Sequence, residues 1–316
     1  MLNEDLLKSG RLCVVGNINR DIKTAPLVAG ARLLQDGETP VASICETIGG
    51  GGANSACAAA SLGGKVIFLG KVGADALGER LEQTLVRHGV SARLKRDPSI
   101  STGNSLALTY ANGQRHFISC QPNNESLCFE DLDPTDFESF GHLFRADVWF
   151  SKPMLFGGNE RLFHAARAAG LAVSIDLNWD PLWGIAPAQE VLSRKQAVAA
   201  VLPWVNVAHG NVRELNEFTN SETLSGSLKR LQDWGVEAVV VHLGEAGAGY
   251  YCRGKLLIEP PAPVQRRVNV TGTGDVLSAC MMLLHEHPEP QAKLRLANRI
   301  VAEFIEGKRQ LIPQLI

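Results

Sequence analysis

The sequence predicts a three-layer α/β/α fold with a mostly parallel central sheet and a small extra β-sheet. Three observations carry that expectation. Short apolar runs alternate with segments of helical period, two glycine clusters run straight into apolar helices, and two stretches show β-type alternation with no helix between them. Buried parallel strands read as continuous apolar runs, and the crossover between them is usually a helix.

The runs follow in order along the chain. Leu12 to Gly16 reads as a buried strand that ends on a glycine, and Val66 to Gly70 as a second, with Leu81 to His88 helical in period. Leu171 to Ile175, Val205 to Ala208 and Ala238 to Leu243 are further strands. Helix-like stretches precede them, such as Glu160 to Ala169 and Ser227 to Trp234. Residues from about 20 to 48 and from about 100 to 120 break the rhythm. Leu106 to Tyr110 and Arg115 to Ser119 form the arms of a hairpin, because Asn112-Gly113 supplies the positive φ values of a tight turn. These two stretches are expected to make one small sheet inserted into a single domain that spans residues 1–316.

Composition narrows the function. The chain has 316 residues, 45% hydrophobic and 20% charged, with a formal net charge of -2, which is ordinary for a globular protein. Near-neutral charge leaves no footprint for nucleic acid or an anionic membrane. No apolar run approaches the roughly 20 residues that span a bilayer. The acidic start (Glu4, Asp5) does not fit a signal peptide, and seven scattered cysteines without a C-x-x-C pair point to a reducing compartment. A cytoplasmic location is expected.

The most informative stretch is Asn269-Val270-Thr271-Gly272-Thr273-Gly274-Asp275, followed by the apolar run Val276 to Leu284. A helix start presents unpaired N–H groups and the positive end of its dipole, so it attracts anions. Gly272 and Gly274 let a phosphate approach the backbone. Asp275 beside that phosphate is suited to accept the proton of an attacking hydroxyl, which points to phosphoryl transfer to an alcohol. The same residues also fit a plain helix cap on a glycine turn. A second cluster, Gly49-Gly50-Gly51-Gly52-Ala53-Asn54, opens an alanine-rich helix. It lacks the Lys-Ser/Thr ending of a P-loop. The amide of Asn54 both donates and accepts and so suits hydroxyl groups, although glycines there equally permit close helix–strand packing.

Residues 12 to 307 resemble the ribokinase-like (PfkB) carbohydrate kinases. The resemblance rests on five motifs in order: Gly49 to Asn54, Gly73-Ala74-Asp75-Ala76-Leu77-Gly78, Asn211-Val212-Arg213-Glu214, Leu243-Gly244-Glu245-Ala246-Gly247, and Asn269 to Asp275. It implies an ATP-dependent kinase for a small sugar, with magnesium. Asp275 would be the general base, and the N–H groups of Gly272, Thr273 and Gly274 the anion hole. Sugar contacts would fall at Asn19, Asp21, Gly50, Gly51 and Asn54. Asn211 and Glu214 would order magnesium, Glu214 through water, a cation that keeps most of its own waters. That pair equally fits an i, i+3 pair on a helix surface. The nucleotide would lie near Gly244, Gly247 and Asn298. His242, where many members have threonine, either touches phosphate or ribose or caps the strand. The small sheet would act as a lid over the sugar, and relatives pair through it as homodimers.

Departures from the pattern bear on specificity. Asn269 replaces an aspartate that helps hold a monovalent cation in relatives, so potassium activation is expected to be weak or altered. In Asp176-Leu177-Asn178-Trp179-Asp180, Asp180 stands where many sugar-acid and fructose kinases carry arginine, which argues against an anionic acceptor. The strand expected around Trp149 to Pro153 offers Lys152 and no carboxylate, unlike ribokinase. A nucleoside kinase of the same superfamily is the first alternative. The stretch from Arg20 to Thr47 has no aromatic residue, whereas the second arm has Tyr110 and Phe117. A non-catalytic sugar-binding protein on the same fold is the second. A dinucleotide-binding enzyme is disfavoured, because the first strand is followed by Gly16-Asn17-Ile18-Asn19-Arg20-Asp21 and not by G-x-G-x-x-G.

Overall fold

The computed structural model describes residues 2–28, 30, 33, 35–111, 114–269 and 271–315. After a short 3-10 turn (Glu4–Ser9), the chain forms β1 (Arg11–Val15), β2 (Asn19–Thr24), β3 (Ile44–Gly49), α1 (Gly51–Ser61), β4 (Lys65–Gly73) and α2 (Ala76–Arg87). Next come β5 (Val90–Asp97), β6 (Asn104–Thr109), β7 (Arg115–Cys120), the single turn α3 (Pro122–Glu125), β8 (His142–Arg145), α4 (Asn159–Ala168) and β9 (Ala172–Asp176). The remainder is α5 (Ala188–Val201), β10 (Val207–Asn211), α6 (Val212–Thr219), α7 (Leu224–Asp233), β11 (Ala238–His242), β12 (Ala248–Cys252), β13 (Lys255–Glu259), α8 (Thr273–Leu283) and α9 (Pro290–Ile305).

The large sheet has the order β13-β12-β11-β10-β9-β8-β1-β4-β5. Every pairing from β11 to β5 is parallel, and the β11–β12–β13 edge is antiparallel. Alternation along β1 assigns the two faces. Leu12 and Val14 pack with α1, α8 and α9, whereas Cys13 and Val15 pack with α4 to α7. Both faces of β1 and β4 are therefore covered, which is why those strands read as unbroken apolar runs. Among the described residues no helix is long and apolar enough to cross a membrane.

A second sheet has the order β3-β2-β6-β7, with β2 and β6 parallel and both outer pairs antiparallel. The hairpin arms lie where the sequence places them. The Tyr110 N–H donates to the Gln114 carbonyl at 2.9 Å, while the Asn112-Gly113 turn itself lies outside the described residues. In register, Asp21, Lys23, Phe117 and Arg115 share one face of this sheet.

Two features differ from the expectation. Residues 149–153 are not a strand: they turn at the end of β8 into a helical segment, and Lys152 is exposed there. The antiparallel β12–β13 hairpin was hidden by its short, mixed runs. The chain winds away from β1 on both sides, to β4 and to β8. That reversal opens a crevice at the carboxyl ends of the strands, where ligands bind in such sheets. Helices α1 and α8 lie side by side and run the same way. The Asn54 amide reaches Asp275 at 3.0 Å near their starts, and Leu283 packs on Gly64 at their ends. Two helix N-termini thus point into one crevice.

Candidate active site

Helix α8 begins at Gly272, whose φ of +84° suits glycine and places its amide at the turn. No side chain caps this start, so the N–H groups of its first turn point outward unpaired by any cap. Asp275 stands in that first turn and accepts an N–H from Asn54. Burial pushes the Asp275 carboxyl up to about 8. The Asn54 amide and Lys23 pull it down, while Asp147 and Asp21 push it further up.

Helix α1 begins differently. Gly50 has a φ of +92°, and a methyl there would sit 2.3 Å from the Asn17 carbonyl oxygen. The N–H groups of Gly51 and Gly52 donate to Asp147 at 3.1 and 2.8 Å, and the Asn17 N–H donates to the same carboxylate at 2.9 Å. The anion at this helix start is the protein's own side chain. Burial pushes Asp147 up, and the three N–H donors and Arg145 hold it down. Asp147 lies 95 residues or more from these donors in sequence, and no local pattern marks it.

Around these starts the structure gathers hydrogen-bonding oxygens. The Asn19 amide donates to Asp21 at 2.8 Å, and burial pushes Asp21 up to about 6. The amide oxygens of Asn17, Asn19, Asn54 and Asn178 are buried with no donor from the protein. Asn17 and Asn178 did not stand out in the sequence; both contact Asp147.

On the other side of Thr273 and Gly274 lies a cavity of about 560 Å³. His242, Gly244, Gly247 and Asn298, the residues that the sequence pattern assigns to the nucleotide, all line it. Leu277, Val301 and Ile305 give it an apolar wall. Asn298 spends its amide on the carbonyls of Glu259 and Pro260, both at 2.9 Å, and so holds the loop after β13. Burial pushes His242 down to about 4, which keeps it neutral. Its ring packs beneath Gly274 and approaches the Ser278 hydroxyl at 3.3 Å.

Other residues of the pattern serve the scaffold. Asn211 and Glu214 form a reciprocal capping box at the start of α6, with bonds of 2.8 and 2.9 Å, and do not line the cavity. This replaces the surface-pair alternative with a cap. Glu214, Asp275 and Asp147 together push the buried carboxyl of Asp176 well up, after burial itself. Among the described residues no three His, Cys, Asp or Glu side chains converge to hold a metal directly. Asn269 donates its amide to the Phe304 carbonyl at 2.9 Å, at the end of α9. Asp75 caps α2 through Gly78 and also accepts from both the amide and hydroxyl of Thr102, which pins the chain entering β6. Asp180 is fully buried in a two-pronged pair with Arg194, at 2.7 and 3.0 Å. It faces the interior, and no cation stands at this position.

A family model described as pfkB family carbohydrate kinase matches residues 9–302. The chain belongs to this family. It is a phosphotransferase with an alcohol group as acceptor, a sugar kinase of the ribokinase and fructokinase type. It is 27% identical over 278 residues to a ribokinase of Arabidopsis thaliana, covering 85% of this chain and 68% of that protein. It is 25% identical over 281 residues to fructokinase-1 of Zea mays, covering 87% and 84%. Among solved structures, the Arabidopsis thaliana ribokinase complexed with ribose and ATP superposes with a TM-score of 0.73 at 21% identity, over 96% of this chain and 95% of that one. A Xylella fastidiosa fructokinase with bound ATP gives 0.78 at 20%, over 95% and 92%. These structures establish the ribokinase-like fold, with its central sheet and small second sheet.

Proposed function

We propose that this chain transfers the γ-phosphate of ATP to a hydroxyl of a small neutral monosaccharide. One observation carries the reading. A cluster of four buried amide oxygens that lack a protein donor, with the Asn19 and Asn54 amides bonded to Asp21 and Asp275, lies beside an uncapped helix start. Sugar hydroxyls are donors that such oxygens need, and burying an unpaired acceptor is costly. The relatives named ribokinase and fructokinase support the same class.

In this reading the sugar lies against Asn19, Asp21, Gly50, Gly51 and Asn54, with Asn17 and Asn178 completing the set. Asn54 holds one oxygen of Asp275, and the other takes the proton as the sugar oxygen attacks. The N–H groups at Gly272, Thr273 and Gly274 receive the charge on the phosphoryl oxygens, which is the largest service a protein offers in phosphoryl transfer. ATP occupies the cavity past Gly274, its base near Gly244, Gly247 and Asn298. Glu214 and Asp275 both push the Asp176 carboxyl up, and a divalent cation here would be held largely through water, with Glu214 as its main contact. Magnesium, when bound, neutralises phosphate charge. The Asn269 oxygen offers at most a weak monovalent site, and turnover is expected to change little with potassium. The small sheet serves as a lid inserted in a single domain and excludes water. Phe117 and Ile118 on its outer strand are exposed, which supports a homodimer through the lid, to be checked by sedimentation. Seven unpaired cysteines fit a reducing, cytoplasmic setting.

Phe117 shares the lid face of Asp21, so nucleosides belong beside sugars in the test. The test is an ADP-release assay with ATP and magnesium against free sugars, sugar acids, sugar phosphates and nucleosides. Asp275-dependent turnover on a neutral sugar supports the reading. Turnover only on a nucleoside or a phosphorylated sugar replaces it, and binding of sugar without turnover points to the non-catalytic alternative.

A further inference from the structure

The lid carries a cation to the helix start. Arg115 opens β7, and its guanidinium donates to the hydroxyl of Thr271, the residue just before Gly272. The two lie 156 residues apart, so only the fold brings them together. We propose that Arg115 is a further catalytic residue, which contacts the phosphoryl group in transfer from the lid side while α8 holds it from below. This rests on the kinase reading above.

Chemistry and geometry favour arginine in that place. A guanidinium stays charged even when half-buried, and its planar fork matches phosphate oxygens. Burial pushes Arg115 down from its usual value, but not to the point of losing its proton near neutral pH. Lys23, on the same face, attends the carboxylates: it lies 4.0 Å from Asp21 and pulls Asp275 down. In the step itself, the sugar oxygen forms a bond to the γ-phosphorus and its proton passes to Asp275. The bond from that phosphorus to the bridging oxygen breaks, and ADP leaves with the electron pair. Arg115 would offset the charge spread over the three equatorial oxygens. Because it arrives on the lid, transfer is tied to closure, which disfavours loss of the phosphate to water.

The test compares Arg115→Met, Arg115→Lys and Thr271→Val with wild type, on the acceptor that the wild type uses. Arg115→Met is expected to lower kcat by roughly 10²-fold or more, the span for removing one such donor, with KM for the acceptor little changed. Added guanidinium should restore part of that loss, and Thr271→Val should lose less than Arg115→Met. An unchanged kcat overturns the proposal. So does a loss confined to the acceptor's KM, which makes Arg115 an acceptor contact, or an equal loss in Thr271→Val without rescue, which makes it a prop for the loop. Affinities for ATP and ADP without acceptor, by calorimetry, give a second reading that needs no turnover. Arg115→Met should shrink the wild-type preference for ATP over ADP, and an unchanged preference overturns the proposal. A wild type silent on every acceptor removes the kinase reading, and the ATP-to-ADP comparison still decides Arg115.

Discussion

Two glycine-rich helix starts sit side by side at the same end of the sheet, and the protein treats them in opposite ways. At α1 the N–H groups of Gly51 and Gly52 are taken by the buried Asp147 carboxylate. At α8 no side chain caps Gly272, and Asp275 stands beside the opening. The electrostatics of a helix N-terminus are the same in both. What differs is whether the fold supplies its own anion. The start that is filled becomes scaffold, and the start left open can receive a substrate's charge.

The largest expected effect separates the two carboxylates by function. Asp275→Asn should lower kcat by roughly 10²- to 10⁴-fold, the span for a general base, without lowering the melting temperature. Asp147→Ala should act the other way. It leaves buried N–H donors at α1 unpaired and should cost about 3 kcal/mol, read by denaturant unfolding. Equal behaviour of the two variants would break the comparison.

Matched glycine substitutions sharpen it at smaller scale. A methyl on Gly52 would lie 2.7 Å from the Gly16 Cα, where backbone cannot yield, so Gly52→Ala should cost about 1–3 kcal/mol. A methyl on Gly274 would meet only the His242 ring, at 3.0 Å. Gly274→Ala should therefore cost less stability than Gly52→Ala yet more turnover, because it narrows the open helix start.

A further effect is on stability against pH. Asp275 ionises near 8 in the folded chain and near 3.9 unfolded. Between about pH 4 and 8 the unfolded chain therefore binds fewer protons at this site, and stability falls as pH rises through that window. Asp275→Asn removes this contribution, so its melting temperature should gain on the wild type from pH 5 to pH 8. A constant difference would place Asp275 outside the low-dielectric crevice.

Much of this was legible in the sequence, for reasons that particular residues show. Buried parallel strands such as Val66 to Gly70 announce themselves as apolar runs, and glycines announce close approaches at Gly50 and Gly272. His242, Gly244, Gly247 and Asn298, which the family resemblance assigns to the nucleotide, line one cavity. Partnerships across the chain were not legible. Nothing near Asp147 signals that it will fill a helix start, and nothing near Asp180 signals Arg194. Read locally, Asp180 looked like a lost arginine in the sugar site; in three dimensions it is half of an interior ion pair. The Arg115 to Thr271 contact is likewise a product of topology alone.

If Asp275 takes a proton at an open helix start, the pH dependence of kcat/KM for the acceptor reports its ionisation. That quantity reports the free enzyme's essential groups. The wild type should gain activity as pH rises, with its midpoint near pH 8 where Asp275 is half ionised and a plateau above it, while Asp275→Asn should show a low and flat profile over the same range. A variant that keeps the wild-type rise, or near-wild-type turnover, would contradict the account.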